Sequence, residues 1–176
     1  VTQELMQWAA APGHLSVRAI HEARHLLGLL PRRRLFLLGS PIAQSQSPLI
    51  HNTGFQLLGL PHVYERFETS TVDERLVQLL HAPDFGGASV TIPLKLSIMQ
   101  LLDSISPEAQ VIGAVNTIVP RRDSDTGRVA LHGENTDWHA IYDRARAAHV
   151  RSDGLVALVI GAGGSARAAL YLTLVQ

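Results

Sequence analysis

Val17, Ile20, Leu27 and Leu30 recur at helical spacing behind Ser16, which predicts an amphipathic helix ending near Gly28 or Pro31. The apolar run LFLLG at 35–39 then predicts a short buried strand. A polar loop over 40–46 leads to Ser47-Pro48, which reads as an N-cap with proline at the first helical position. That helix is expected to reach about Leu58 and to close at Gly59. Residues 63–68 predict a second strand, and the capping box Thr71-Val72-Asp73-Glu74 opens a helix through Leu80. A third strand is expected over 86–92 and a helix over 93–102. Ser106-Pro107 opens another helix that stops before Gly113. Residues 114–119 predict a further strand, 121–127 a turn between antiparallel strands, and 129–131 the returning strand. A helix follows near 138–148. After Ser152-Asp153-Gly154 the pattern changes to LVALVI at 155–160, which reads as a strand buried on both faces and running into a glycine loop and a helix over 167–174. Alternating strands and helices place the chain in the α/β class with a mostly parallel sheet. No internal repeat or low-complexity segment interrupts it.

Composition narrows the function classes. The chain has 176 residues, 46% hydrophobic and 17% charged, enough for one sizeable core or one core with a second domain begun. Lys+Arg and Asp+Glu are both 15, and the densest basic run, Arg32-Arg33-Arg34, is too short to track a phosphate backbone, so direct nucleic-acid binding is not expected. The absence of cysteine excludes a disulfide framework and thiolate metal sites. No apolar run is long enough to span a bilayer, and the opening residues do not read as a signal peptide, so the expectation is a soluble, cytoplasmic chain without a membrane partner.

Two motifs carry candidate chemistry. HEARH at 21–25 puts two imidazoles at i and i+4 with a glutamate between them, the arrangement of zinc-dependent hydrolysis. The extended form HExxHxxGxxH is matched as far as Gly28, but Pro31 stands where the third ligand belongs, so no metal site is expected. The second motif is GAGGSA at 161–166, a GxGxxA run directly after six apolar residues. There the glycines permit a tight turn and close backbone approach, and the following helix N-terminus offers N–H groups to a pyrophosphate. Gly161, Ala162, Gly163, Gly164, Ser165 and Ala166 are therefore candidate cofactor-binding residues, at the first β-α unit of a Rossmann-type dinucleotide domain. The acidic or basic residue that separates NAD from NADP belongs about 20 residues further on, beyond Gln176. One β-α unit cannot bury its own strand, so the chain is expected to be a fragment, with 151–176 poorly protected in isolation or held by a partner surface.

GSPIAQSQSP at 39–48, HN at 51–52, GL at 59–60, SVTIPLK at 89–95, IGAVNT at 112–117, NTD at 135–137 and GAGG at 161–164 occur in the order and spacing of shikimate dehydrogenases. The resemblance runs from about residue 34 to the end. It is closest to the dehydrogenase modules of the fungal pentafunctional arom proteins and of the related quinate repressors. AAPG at 10–13 followed by a helix resembles the tail of a type I dehydroquinase, the module that precedes the dehydrogenase in both. The resemblance thus implies three parts: 1–33 as a dehydroquinase-like tail and linker helix, 34–150 as a shikimate-binding catalytic domain, and 151–176 as the start of an NADP-binding domain.

It also implies the reversible reduction of 3-dehydroshikimate to shikimate with NADPH, in aromatic amino acid biosynthesis. Lys95 and Asp137 carry over as the catalytic pair, Ser45 and Ser47 as carboxylate-binding serines, and Thr91 and Asn116 as contacts to ring hydroxyls. From the residues themselves, Ser47 reads equally as an N-cap, Thr91 as a strand threonine and Asn116 as a turn asparagine. The expected partners are shikimate or 3-dehydroshikimate, with quinate as a further candidate, and an upstream dehydroquinase-like module of the same chain; a homo-oligomer stays open. Some positions depart from the family pattern. Ser89 replaces the Asn of NVTxPxK, Ala140 replaces the glycine usual after NTDxx, and His14 takes the place of a substrate-contacting glutamine of the dehydroquinase. His14 points toward the rival reading, a non-catalytic metabolite sensor of the quinate-repressor type, nuclear instead of cytoplasmic. The intact Lys95, Asp137 and glycine loop point toward the enzyme.

Overall fold

The computed structural model describes residues 16–123, 126–148 and 156–174. Helix α1 (Val17–Leu26) precedes β1 (Arg34–Gly39), α2 (Ser47–Leu58), β2 (Val63–Glu68), α3 (Glu74–Leu80) and β3 (Phe85–Val90). A 3-10 helix (Ser97–Leu101), the two-residue strand β4 (Ser104–Ile105), α4 (Pro107–Ile112), β5 (Thr117–Arg122), β6 (Val129–Glu134), α5 (Asp137–Ala147) and α6 (Gly164–Leu174) follow. The six strands form one sheet in the order β2-β1-β3-β5-β6-β4. β1 runs parallel to β2 and β3, and β4 parallel to β6, while β5 is antiparallel to both of its neighbours. The mostly parallel α/β sheet expected from the pattern is present.

β1 is covered on both faces, which explains its unbroken apolar sequence. Phe36 and Leu38 enter a core with Leu76, Leu80, Phe85, Val90, Leu94, Ile98 and Ile118. Leu37 faces the opposite side, toward Ile42, Tyr64 and Phe55 of α2. Leu38 is fully buried, a burial that contributes about 1.5–3 kcal/mol. Gly59 and Gly113 end α2 and α4 in the left-handed region at φ 66° and 68°, where a side chain would strain the backbone.

Several local expectations shift, each for an identifiable reason. Asp73, not Thr71, caps α3: its carboxylate accepts the Leu76 N–H at 2.9 Å, whereas the Thr71 carbonyl accepts the Thr69 hydroxyl. Ser47 is the first helical residue of α2, and its N–H donates to the Ser45 hydroxyl at 3.3 Å. The helix expected over 93–102 is only the short 3-10 turn. The Lys95 carbonyl accepts the Val115 N–H at 2.7 Å and so is committed outside any helical ladder. β5 begins at Thr117 and includes Arg121 and Arg122, because 114–116 are drawn into bonds with Ala109, Lys95 and Glu134. β6 continues to Glu134. β4 carried no strand signal and is held to its register partner by a 2.7 Å hydrogen bond between the Ser104 hydroxyl and His132.

The largest correction concerns the strand expected over 155–160. Residues 156–160 form no strand, and Val156, Leu158 and Ile160 are 97%, 83% and 89% exposed. A strand is a hydrogen-bonded partnership, and among the described residues none lies beside this segment. Leu155, the boundary at 152–154, His14 and the dehydroquinase-like tail at 10–13 fall outside the described residues. The helix after the glycine loop behaves differently. Ala168 of α6 is fully buried against Ile112, Ala114, Trp138, Ile141 and Tyr171, with Trp138 and Tyr171 packed edge to face at 5.4 Å.

Candidate functional site

The connections leaving β1 and β3 set the location. From β1 the chain crosses to β2 on one side, then returns to place β3 on the other, so a crevice opens at the carboxyl ends of β1 and β3. Ligands of open α/β sheets bind at such switch points. The start of β5 and the end of β6 reach the same edge because β5 is antiparallel to β3 and β6.

Four of the candidate residues meet in one polar network there. Lys95 Nζ donates to Asp137 Oδ2 at 2.6 Å, with the two side chains only 14% and 25% exposed. Asn116 Nδ2 donates to the other carboxylate oxygen at 2.8 Å, and Asn116 Oδ1 accepts the Thr136 N–H at 3.0 Å. The carboxylate is therefore held on both oxygens, with its plane fixed by an amide that is itself fixed. The backbone beneath is anchored by Asn135, which is 3% exposed: its Nδ2 donates to the Ala114 carbonyl and its Oδ1 accepts the Asp137 N–H. Asn135 was not singled out from the sequence, although the NTD block contains it. Its amide links β6, α5 and the turn before β5 at once. The fourth member, Ser165, comes from the glycine loop; its hydroxyl accepts from Lys95 Nζ at 3.2 Å.

Ser45, Ser47 and Thr91 form a separate group. They line a cavity of about 230 Å³ with Leu37, Pro41, Ile42 and Gln44, and the Ser45 hydroxyl donates to that of Ser47 at 3.2 Å. Thr91 is set by the Leu38 carbonyl, which accepts its N–H, and by Gly39, where an added Cβ would lie 2.5 Å from the Thr91 methyl. On the same sheet face, Tyr64 stacks on His51 at 4.3 Å, and its buried hydroxyl has no hydrogen-bond partner. Burial pushes the Tyr64 pKa up; the Ser89 hydroxyl alongside opposes this without reaching bonding geometry. A larger hollow of about 320 Å³, lined by Arg33, Phe85, Arg122 and Leu131 among others, contains none of the candidates.

The glycine loop meets three separate demands. Gly161 adopts φ 133°, which disfavours a side chain, and Gly163 has open space around its Cα, leaving the backbone approachable. A Cβ on Gly164 would lie 3.0 Å from Lys95 Cδ and 3.2 Å from Ala114 Cβ, so this glycine serves close packing of α6 on the sheet domain. An exposed Ala162, an open Gly163 and the unpaired N–H groups of the first turn of α6 fit a pyrophosphate. Ala166 lies one turn from Gly161, 3.7 Å from where its Cβ would be.

HEARH makes packing contacts. His21 Nδ1 meets the Leu58 carbonyl at 2.7 Å and His25 Nδ1 the Leu30 carbonyl at 2.9 Å, while Glu22 pairs with Arg18. Each imidazole thus ties α1 to α2 or to the chain that follows.

Residues 37–118 match the shikimate dehydrogenase substrate binding domain. That match runs from within β1 to the start of β5, just under half of the chain. The chain is 69% identical over 172 residues to the pentafunctional AROM polypeptide of Malassezia globosa, a match covering 97% of this chain and 11% of that polypeptide. Among solved structures it resembles the dehydroquinate dehydratase and shikimate dehydrogenase from S. pombe AroM, with TM-score 0.74 and 50% identity over 93% of this chain and 31% of that one. It also resembles the Thermus thermophilus shikimate 5-dehydrogenase in complex with NADP(H) and shikimate, with TM-score 0.65 and 38% identity over 81% of this chain and 52% of that one. The chain therefore spans about a tenth of the length of the curated relatives it matches. Among the described residues, no helix is long and apolar enough to cross a membrane.

Proposed function

We propose that this chain is the substrate-binding and catalytic part of a shikimate dehydrogenase module that reversibly reduces 3-dehydroshikimate to shikimate with NADPH. The 2.6 Å contact between Lys95 and Asp137, at the carboxyl edge of the sheet and beside the glycine loop, is the observation that carries this reading. The shikimate-bound and NADP(H)-bound Thermus thermophilus relative supports both ligand classes.

A nicotinamide cofactor held at residues 161–166 would supply the hydride. On this reading the Lys95 ammonium would donate a proton to the oxygen that becomes the hydroxyl, and in the reverse direction the neutral amine would take that proton back. Asp137, fixed by Asn116 on Oδ1, holds the ammonium on Oδ2 and keeps a lone pair for a substrate hydroxyl. Ser45 and Ser47 would offer hydroxyls to the substrate carboxylate, and the Thr91 hydroxyl and the Asn116 side-chain amide would meet ring hydroxyls. The glycine loop takes the pyrophosphate. On this reading 34–150 is the substrate-binding unit and 151–176 the start of the cofactor unit. The residues before 34 then join them to a dehydroquinase-like module, as the name of the S. pombe relative suggests.

The test is NADP-dependent oxidation of shikimate by the full-length protein, followed by cofactor absorbance, with shikimate and quinate binding measured in parallel. Lys95→Ala is expected to lower turnover by roughly 100-fold or more while leaving shikimate binding detectable. Unchanged turnover removes Lys95 from the mechanism, and binding without turnover in the wild type replaces the enzyme with a sensor.

A further inference from the structure

Ser165 belongs by sequence to the phosphate-cradling loop, yet its hydroxyl faces the other way. It accepts from Lys95 Nζ at 3.2 Å and lies 3.5 Å from Asp137 Oδ2. We infer that Ser165 is a positioning residue for the Lys95–Asp137 pair, the point at which the cofactor-binding loop sets the orientation of the catalytic amine. This rests on the dehydrogenase reading above and extends it.

An ammonium has three N–H groups and a flexible four-carbon stem, so a single partner leaves it free to swing about that contact. Here one N–H goes to Asp137 Oδ2, a second to the Ser165 hydroxyl, and the third is left for a substrate oxygen. Two fixed bonds and the fixed stem determine where the third points. The stem is fixed by the residue next to Ser165: Gly164 lies so close that an added Cβ would stand 3.0 Å from Lys95 Cδ and 3.2 Å from Lys95 Cβ. The first two residues of α6 therefore bracket Lys95, one along its methylenes and one at its nitrogen.

α6 is placed firmly enough to act in this way. Ala168 is fully buried, and Tyr171 packs against Trp138, which directly follows Asp137. The helix that begins at the glycine loop and the helix that begins at Asp137 are thus packed on each other, and the Ser165 hydroxyl closes the polar end of that contact. Lys95 is the sole lysine of the sequence, so this bracket holds the chain's one side-chain amine.

The experiment compares wild type, Ser165→Ala and Ser165→Thr in the full-length protein. Ser165 is exposed, so the extra methyl of threonine meets no core. Ser165→Ala is expected to lower kcat roughly 10-fold while KM for shikimate and for NADP changes less than about twofold, the signature of a contact used in the transition state. Ser165→Thr is expected to restore kcat. A second readout needs neither cofactor nor turnover: acylation of Lys95, followed by peptide mass spectrometry, should be several-fold faster in Ser165→Ala than in wild type and normal in Ser165→Thr. An unchanged kcat and labelling rate overturns the inference. So does a raised KM for NADP with kcat preserved, which returns Ser165 to the phosphate, and so does failure of threonine to rescue. If the wild type does not oxidise shikimate, the dehydrogenase reading fails, and the labelling comparison still decides whether Ser165 holds the amine.

Discussion

Two stretches of this chain are both dominated by apolar residues and have opposite fates. RLFLLG at 34–39 forms β1, with Phe36, Leu37 and Leu38 at 2%, 6% and 0% exposure. VALVI at 156–160 forms no strand and leaves Val156, Leu158 and Ile160 almost fully exposed. The difference lies outside both stretches. β1 has β2 on one side, β3 on the other, and helices over both faces; the second segment has none of these among the described residues. A continuous apolar run states a requirement for neighbours and does not supply them.

Hydrogen exchange on this chain probes the contrast most widely. Amides of Leu37 and Leu38 should exchange on the order of 10,000-fold more slowly than those of Leu158 and Ile160. Slow exchange through 156–160 in a monomer would break the comparison. Truncation probes it next. Leu38→Ala should cost about 2–5 kcal/mol in a denaturant titration, and Leu158→Ala less than about 0.5 kcal/mol. Equal costs would mean that the second segment is packed.

A smaller effect is expected where the closed region meets the site. Asn135→Ala leaves the Ala114 carbonyl and the Asp137 N–H without their partner and should cost about 1–3 kcal/mol. A neutral result would show that the Asp137 backbone is held by other means. The smallest effect concerns the residue that leads into β1. His62 Nδ1 accepts the Arg33 N–H at 3.3 Å, which requires the unprotonated nitrogen. Burial, followed by the positive charge of Arg33, lowers its pKa below 6.5. The unfolded chain therefore takes up the proton first. The contribution is complete above about pH 6.5, the unfolded value, and is lost as pH falls through the lower folded value. Denaturation midpoints should decline below that pH in wild type and less so in His62→Asn, whose amide oxygen accepts without titrating. Identical pH dependence in both would remove His62 from this role.

Much of the candidate site was legible as blocks of residues. SVTIPLK, IGAVNT, NTD and GAGG carried the resemblance, and Lys95, Asn116 and Asp137 of the first three meet in one network with Ser165, the residue after GAGG. What the blocks concealed is direction. Ser165 turns to Lys95 although its motif speaks of phosphate, and Asn135 works through buried bonds that no spacing reveals. The short 3-10 turn after Pro93 was unreadable for a similar reason, since the Lys95 carbonyl leaves the helical ladder to meet Val115, 20 residues away in sequence.

The sequence by itself determined the class of fold, the ends of α2 and α4 at their glycines, and the residue types available for proton transfer and anion binding. These depend on local backbone preference, on the period of apolar positions and on side-chain chemistry, all of which act within a few residues. Only the tertiary structure decided which apolar run becomes a strand, which hydroxyl faces which amine, and which carbonyl is free to build a helix. Each of those outcomes depends on a partner brought from far along the chain. The local sequence names the donor or the apolar face, and the fold names what it meets.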